Sequence, residues 1–247
     1  MKKGIILSML LIASTSYSWS QKTDNEHIPL LGEMAPEFIA QTTTGRLNFP
    51  GDYEMKWKIL FSHPADFTPV CSTEILELAT MQDEFDKMNT KIMVLSTDGL
   101  SSHMAWVESL QKISYPGDKP VQIKFPLIAD PDSKISRMYG MIHSYTSNTR
   151  DVRGVFIIDP SDRIAAIFFY PMNVGRNMDE IKRTLIALQT SEKFDILTPA
   201  NWNPGQQVMI NSPATQQESE KMAQKKEKNL TSLSWYMWFK TLPQGKL

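Results

Sequence analysis

The chain has 247 residues, of which 41% are hydrophobic and 21% charged, enough for one large core or for a core plus a small second domain. Its formal net charge of −1 provides no basic excess for binding nucleic acid. The sequence also has no acidic tail of the kind that indicates disorder. It contains a single cysteine, which excludes a disulfide within the chain.

The first twenty residues have the pattern of an export signal. Lys2 and Lys3 give a positive start, and residues 4–13 are an apolar run. Residues 14–20 are small and polar apart from two aromatics, and Ser18 and Ser20 occupy the positions that a signal peptidase reads, which predicts cleavage before Gln21. The alternative is an uncleaved anchor, but the apolar run is only half as long as the ~20 residues that span a bilayer. Cleavage removes two lysines and no acids, so it makes the mature charge more negative. No later stretch is apolar enough to cross a membrane, so we expect a periplasmic or extracellular protein without stable membrane insertion.

Apolar residues beyond the signal recur with the periods of strands and helices. Strands first alternate with helices, which indicates parallel pairing, and the last two strands form a hairpin, which indicates antiparallel pairing. We therefore predict an α/β fold of thioredoxin-like outline, with helices flanking a mixed central sheet. The predicted elements are a hairpin over 38–49, strands over 57–62, 91–96, 125–129, 155–159 and 164–170, and helices over 70–89, 101–113, 133–139 and 177–189.

The composition changes after about Lys193, where turn-forming residues replace the periodic pattern. We expect a signal peptide over 1–20, a thioredoxin-like domain over 21–192 and a small C-terminal domain over 193–247. The charged stretch 218–229 predicts a solvated helix. Aromatic residues near the end predict either a satellite core or a subunit interface made of exposed apolar surface. These residues are Trp235, Tyr236, Trp238 and Phe239.

The most informative segment is Ser62–Glu74, which leads from a predicted strand into a predicted helix. Cys71 falls in the first turn of that helix, where unpaired backbone N–H groups and the helix dipole favour thiolate over thiol. Thiolate is the species that attacks a peroxide O–O bond. Thr68 can offer its hydroxyl to the sulfur or to a peroxide, and Pro64 would shield the sulfur from water. From its residue type alone, Cys71 is more often a small buried hydrophobe.

The spacing of Pro64, Thr68 and Cys71 favours a reactive thiolate at Cys71 over an inert buried side chain. Pro-x-x-x-Thr-x-x-Cys, within the longer string FSHPADFTPVCSTE, resembles the active-site motif of the peroxiredoxins of the AhpC/TSA type. The string is most similar to their one-cysteine branch, that of peroxiredoxin 6. Further similarity lies at Arg153, which begins RGVFIID, and at Arg176, which precedes the last core helix. The resemblance covers about residues 29–210.

This resemblance implies a role for each matched residue. Cys71 would be the peroxidatic nucleophile, and Arg153 would lie beside its sulfur and donate to the peroxide with the fixed donor fork of a guanidinium. Thr68 and the backbone N–H of Cys71 would hold the two peroxide oxygens, and Pro64 would close the pocket. Two further residues, Glu74 and Arg176, would orient Arg153; otherwise Glu74 is an ordinary acid at a helix start.

His63 matches a histidine of the one-cysteine branch. It either lines the pocket or receives the reductant, or it is a packed histidine at a strand end. The other histidines, His27, His103 and His143, are scattered without ligand spacing, and neither a zinc motif nor a glycine-rich phosphate loop is present. The sequence therefore predicts no metal and no cofactor.

Because the chain has a single cysteine, a sulfenic acid on Cys71 would need a thiol from outside. We expect a small thiol or a thioredoxin-like protein as reductant, and sulfinic acid when peroxide is in excess. The chain lacks the G-x-S-x-G serine of phospholipase-active relatives. The family resemblance implies a homodimer or a larger ring. Two other functions remain: a non-catalytic chaperone on the same scaffold, and a cysteine hydrolase with His63 as base.

Overall fold

The computed structural model describes residues 27–225 and 227–243. The predicted signal peptide, residues 1–20, lies outside this range, so its cleavage and the export of the protein stay predictions. None of the helices in the described part of the chain combines the length and the apolar character that crossing a bilayer requires.

A seven-stranded mixed sheet forms the centre of the molecule. Its spatial order is β2-β1-β5-β4-β3-β6-β7. β3, β4 and β5 run parallel, whereas β6 pairs antiparallel with both β3 and β7, as the alternation and the closing hairpin predict. The strands are β1 (Phe38–Thr42), β2 (Gly45–Phe49), β3 (Trp57–Ser62), β4 (Thr90–Ser96), β5 (Leu127–Ala129), β6 (Arg153–Ile158) and β7 (Ile164–Tyr170).

Helices cover both faces of this sheet, as predicted. The strands alternate between two cores because successive side chains of a strand point to opposite faces. Ile59 and Phe61 face one core, which also receives α1, α2 and α4. Leu60 faces the other, which receives α3 and the first hairpin. The helices are α1 (Pro69–Lys87), α2 (Leu100–Leu110), α3 (Lys134–Met138) and α4 (Met178–Phe194).

The C-terminal part forms a smaller, three-stranded antiparallel sheet of order β8-β10-β9. α4 runs to Phe194 and so crosses the expected domain boundary at 192/193, and the division into domains stays a prediction. The charged stretch forms a helix, though it begins and ends earlier than 218–229. The elements are β8 (Val208–Met209), α5 (Gln216–Gln224), β9 (Leu230–Ser234) and β10 (Met237–Lys240).

The aromatic residues near the C-terminus divide between the two environments that the sequence left open. Trp238 is buried, and its Nε1 donates to Ser219 Oγ at 3.0 Å, so it packs against α5. Trp235 and Tyr236 lie at the turn between β9 and β10 and are 44% and 50% exposed. This hairpin therefore has one anchored indole and an exposed aromatic tip.

Candidate active site

Cys71 lies in the first turn of α1, which follows the loop after β3, and its side chain is fully buried. The loop between them ends at Thr68, the N-cap, and proline at the first helical position suits the helix because its missing N–H would have no partner there. Phe67 adopts φ 54°, a left-handed conformation that is strained for a bulky residue. The loop thus leads from the carboxyl end of β3 into the first turn of α1, which carries Cys71.

Thr68 does not donate to the cysteine sulfur. Its Oγ1 donates instead to the carbonyl oxygen of Ala65 at 2.8 Å, within the same loop. Because a hydroxyl has one proton and two lone pairs, the oxygen of Thr68 remains able to accept a hydrogen bond. Pro64 is buried in this loop.

Arg153, the first residue of β6, lies beside the sulfur. Its Nη1 donates to Cys71 Sγ at 3.3 Å and to Glu74 Oε2 at 2.7 Å. Its Nε and Nη2 donate to the carbonyl oxygen of Met172 at 2.9 and 2.5 Å. The guanidinium is buried and is held at both ends, so its orientation toward the sulfur is fixed.

Glu74 lies one turn after Cys71 and joins two guanidiniums. Arg176 donates to its carboxylate from the backbone N, from Nε and from Nη2, at 2.8, 2.9 and 2.7 Å. The remaining nitrogen, Nη1, donates to the carbonyl oxygens of Ser62 and Gly154, at 2.9 and 2.8 Å. Arg176 therefore ties α1 to the end of β3 and to the start of β6.

Glycine at position 154 leaves room for this close approach. A Cβ there would lie 3.0 Å from Ser62 Oγ and 3.3 Å from the ring of Phe169. Ser62 Oγ also accepts from the Gly154 N–H at 2.9 Å and donates to the carbonyl oxygen of Val152 at 2.7 Å. This contact between β3 and β6 sets the position from which Arg153 reaches the sulfur.

The buried charges of this network do not balance unless the cysteine ionises. Arg153, Arg176 and Glu74 are all buried and carry two positive charges against one negative. Isolated charges are costly to bury, so buried ions occur paired. Cys71 is the acidic side chain in contact with Arg153 that is left to supply the second negative charge, and its thiolate would make the network neutral.

His63 is buried behind this network and makes no hydrogen bond to Cys71. Neither of its ring nitrogens has a hydrogen-bond partner in the described part of the chain, and the ring stacks on Trp106 with centroids 5.0 Å apart. Burial lowers the pKa of His63 well below its usual 6.5, and the nearby guanidinium of Arg176 adds to this effect. The imidazole is therefore neutral at physiological pH.

The structure also brings in residues that sequence reasoning did not single out. Asp66, in the active-site loop, contacts His103 of α2, and these residues lie 37 positions apart. The carbonyl of Met172 orients Arg153. Every residue type has a backbone carbonyl, so this contact cannot be recognised from the sequence. An aspartate within the motif string was the available signal for the first contact, but its partner could not be chosen from four histidines.

Comparison with known proteins relates the two parts of the chain to two family models. Residues 31–167 match the AhpC/TSA family, and residues 187–226 match the C-terminal domain of 1-Cys peroxiredoxin. A peroxiredoxin of Methanosarcina mazei is 47% identical over 214 residues, which cover 86% of this chain and 98% of that protein. Peroxiredoxin 2 of Caldanaerobacter subterraneus is 41% identical over 213 residues, covering 86% and 93%.

Solved structures agree with this similarity. A yeast mitochondrial 1-Cys peroxiredoxin, studied for thiol resolution via the glutathione and thioredoxin systems, superposes with a TM-score of 0.73 at 34% identity and covers 87% of this chain and 100% of its own. A mutant of the peroxiredoxin 6 of Arenicola marina gives a TM-score of 0.76 at 29% identity, with 87% and 99% covered.

Proposed function

This chain belongs to the AhpC/TSA family of peroxiredoxins and is a thiol peroxidase, and we propose that it works through Cys71 by a one-cysteine mechanism. The observation that carries the proposal is the hydrogen bond from Arg153 Nη1 to Cys71 Sγ, at 3.3 Å, within a buried network that lacks one negative charge. A thiolate supplies that charge, and the thiolate is the nucleophilic form of cysteine.

The first step is the attack of the Cys71 sulfur on one oxygen of a hydroperoxide. An S–O bond forms as the O–O bond breaks, and the electron pair leaves on the second oxygen, which takes a proton and departs as an alcohol or as water. Negative charge moves from sulfur to the leaving oxygen in this step. Arg153 stays oriented throughout by Met172 and Glu74, and a preoriented cation stabilises such charge without reorganisation.

Thr68 and the backbone N–H of Cys71 position the peroxide. The N–H lies in the first turn of α1, where N–H groups lack intrahelical acceptors, and it donates to a peroxide oxygen. Thr68 Oγ1 gives its own proton to Ala65, so in this role it accepts the peroxide O–H. Pro64 contributes a buried apolar wall that limits water at the sulfur.

The second step is reduction of the Cys71 sulfenic acid by thiols from outside the chain. The sequence holds no second cysteine, so one thiol forms a mixed disulfide with release of water, and a second thiol frees Cys71. The overall reaction consumes one hydroperoxide and two thiols and gives an alcohol or water, one water and one disulfide. The thiol systems named for the yeast relative support a small thiol or a thioredoxin-like reductant.

We further propose that the enzyme is exported and acts as a homodimer or larger homo-oligomer. The export proposal rests on the charged, apolar and small-residue pattern of residues 1–20. The exposed aromatic tip, Trp235 and Tyr236, supports an interface between subunits because exposed apolar surface favours association.

Peroxide consumption by wild type and by Cys71→Ser with different thiols tests the peroxidase proposal. A scaffold that acts only as a chaperone would retain its function in the variant.

A further inference from the structure

Three side chains with metal-binding atoms converge behind the active site. His63 and Asp66 lie in the loop after β3, and His103 lies in α2. All three are buried, and one ligand atom from each lies within 4.8 Å of the others. Sequence spacing predicts no metal here, because the two histidines come from separate elements.

The hydrogen bonds of His103 determine which of its ring nitrogens is available to bind a metal ion. Nε2 lies 3.1 Å from the carbonyl oxygen of Ile128, which can only accept, so Nε2 carries a proton. Nδ1 then faces the Asp66 carboxylate, 3.0 and 2.9 Å from its two oxygens. A neutral imidazole would direct its lone pair at these anionic oxygens, so a proton or a metal cation must lie between the two groups.

His63 is the second feature that points to a ligand. It is fully buried, and both of its ring nitrogens lack hydrogen-bond partners in the part of the chain described. Its Nε2 lies 3.7 Å from Asp66 Oδ1, too far for a hydrogen bond but directed at the same carboxylate. Both nitrogens of the ring are buried, so an ion held by Asp66 and His103 would give His63 a polar partner.

We propose that His63, Asp66 and His103 bind one divalent transition-metal ion, with Zn²⁺ the best match. Bonds of about 2.0–2.1 Å to a tetrahedral Zn²⁺ place neighbouring ligand atoms about 3.3 Å apart. The separations of 2.9 Å between His103 and Asp66 and 3.7 Å between His63 and Asp66 lie on either side of that distance. Two imidazoles and one carboxylate suit zinc better than Ca²⁺ or Mg²⁺, which prefer oxygen ligands.

The surroundings of the site have the supporting contacts typical of metal centres. Metal-binding histidines usually donate their other ring N–H to a carbonyl or carboxylate, as His103 does to Ile128. The backbone N–H of Asp66 donates to Asp98 Oδ2 at 2.8 Å, which holds the loop in place. With neutral imidazoles, the ionised Asp66 leaves the site one negative charge, which offsets half the charge of the ion.

The test is a titration of the tag-free full chain, stripped of metal by chelation, with Co²⁺. We expect saturation at one Co²⁺ per chain, with visible absorption bands of a low-coordinate ion, and loss of these bands when Zn²⁺ is added. The readout does not depend on turnover, so its failure would leave the peroxidase proposal intact. Wild-type protein without saturable binding would overturn the metal proposal and would mean that a proton joins Asp66 to His103.

Variants identify the ligands. His63→Gln keeps a polar side chain in the same pocket and should fold, and it should weaken binding by more than the roughly 10–100-fold lost with a supporting contact. His103→Gln should do the same, and circular dichroism checks that both variants fold. His27→Gln, which replaces an exposed histidine, and Cys71→Ser should bind like wild type. Unchanged binding in folded His63→Gln, or loss of binding in Cys71→Ser, would contradict the assignment.

Discussion

Arg176 makes three hydrogen bonds to the carboxylate of Glu74, from its backbone N, Nε and Nη2. Both side chains are buried, and the same carboxylate accepts from Arg153, the residue that contacts the cysteine sulfur. The carboxylate thus lies between two cations and offsets the repulsion between them. The position of the Arg153 guanidinium beside the sulfur therefore depends on this pair.

Replacing Glu74 with glutamine should therefore reduce both stability and activity. The amide keeps the shape but leaves two buried guanidiniums facing each other, and breaking a buried ion pair costs about 3–5 kcal/mol. Urea unfolding should show that loss, and kcat/KM for peroxide should fall as Arg153 loses its support. Glu77→Gln, one turn further along the same helix, is the matched control and should change neither quantity appreciably. If Glu74→Gln were as stable as wild type, Glu74 would not be needed to compensate the charges of Arg153 and Arg176.

Arg153→Lys should fold but lose most of its peroxidase activity. Lysine keeps the positive charge, but a single ammonium cannot contact the Met172 carbonyl, Glu74 and the sulfur with the geometry of a planar fork. Loss of a preorganised donor lowers rates by about 10²–10³, which stopped-flow measurement of peroxide reduction will detect. The exposed Arg150→Lys serves as control. Full activity in Arg153→Lys would show that charge alone is sufficient.

The hydroxyl of Thr68 should matter for peroxide reduction, and its methyl group should not. Thr68→Ser keeps the hydrogen bond to Ala65 and the acceptor lone pairs, whereas Thr68→Val removes both. One lost hydrogen bond of about 1–1.5 kcal/mol corresponds to roughly a tenfold lower kcat/KM in Thr68→Val. Steady-state kinetics on the pair of variants gives the comparison. Equal rates for serine and valine would remove Thr68 from the mechanism.

Asp151 should make the protein less stable as the pH rises. Burial raises the pKa of its carboxyl well above the usual 3.8, with Asp130 and Asp98 adding to the shift and Ser136 opposing it. Above pH 3.8 the unfolded chain releases this proton while the folded chain keeps it, so the free energy of unfolding falls with increasing pH, by at most about 1.4 kcal/mol per unit. The loss ends at the pH where the folded carboxyl ionises.

Urea unfolding from pH 5 to pH 8 checks this expectation. Asp151→Asn, which cannot ionise, should gain stability relative to wild type as the pH rises. Asp118→Asn, in an exposed loop, should follow the wild-type curve. A constant difference between wild type and Asp151→Asn across this range would contradict the prediction.

Much of this architecture follows from local sequence patterns. Helical spacing and strand alternation predict the order of the core elements, because each buries one apolar face. The motif around Cys71 places Pro64 and Thr68 at fixed offsets within one loop, so their closeness needs no tertiary information. Arg153 and Arg176 were located by resemblance, and the structure brings both to Glu74.

The contacts that the sequence did not predict join distant elements. Asp66 meets His103 through the packing of α2 beside β5, and no spacing rule links positions in separate elements. The proton of Thr68 goes to a backbone carbonyl, which competes with the expected donation to sulfur. Near the C-terminus, alternation cannot say which indole is buried, since the partner of Trp238, Ser219, lies in the separate helix α5.

The most direct test of the central claim is single-turnover reaction with peroxide in the absence of any thiol. With one equivalent of hydroperoxide per chain, wild-type protein should consume it and hold a sulfenic acid on Cys71 that a dione reagent traps for mass spectrometry; peroxide beyond that should be consumed only as Cys71 is oxidised to sulfinic acid. Adding a small thiol or a thioredoxin system should restore turnover, and Cys71→Ser should reduce no peroxide under either condition. Peroxide reduction by Cys71→Ser, or repeated wild-type turnovers without thiol, would contradict the one-cysteine account.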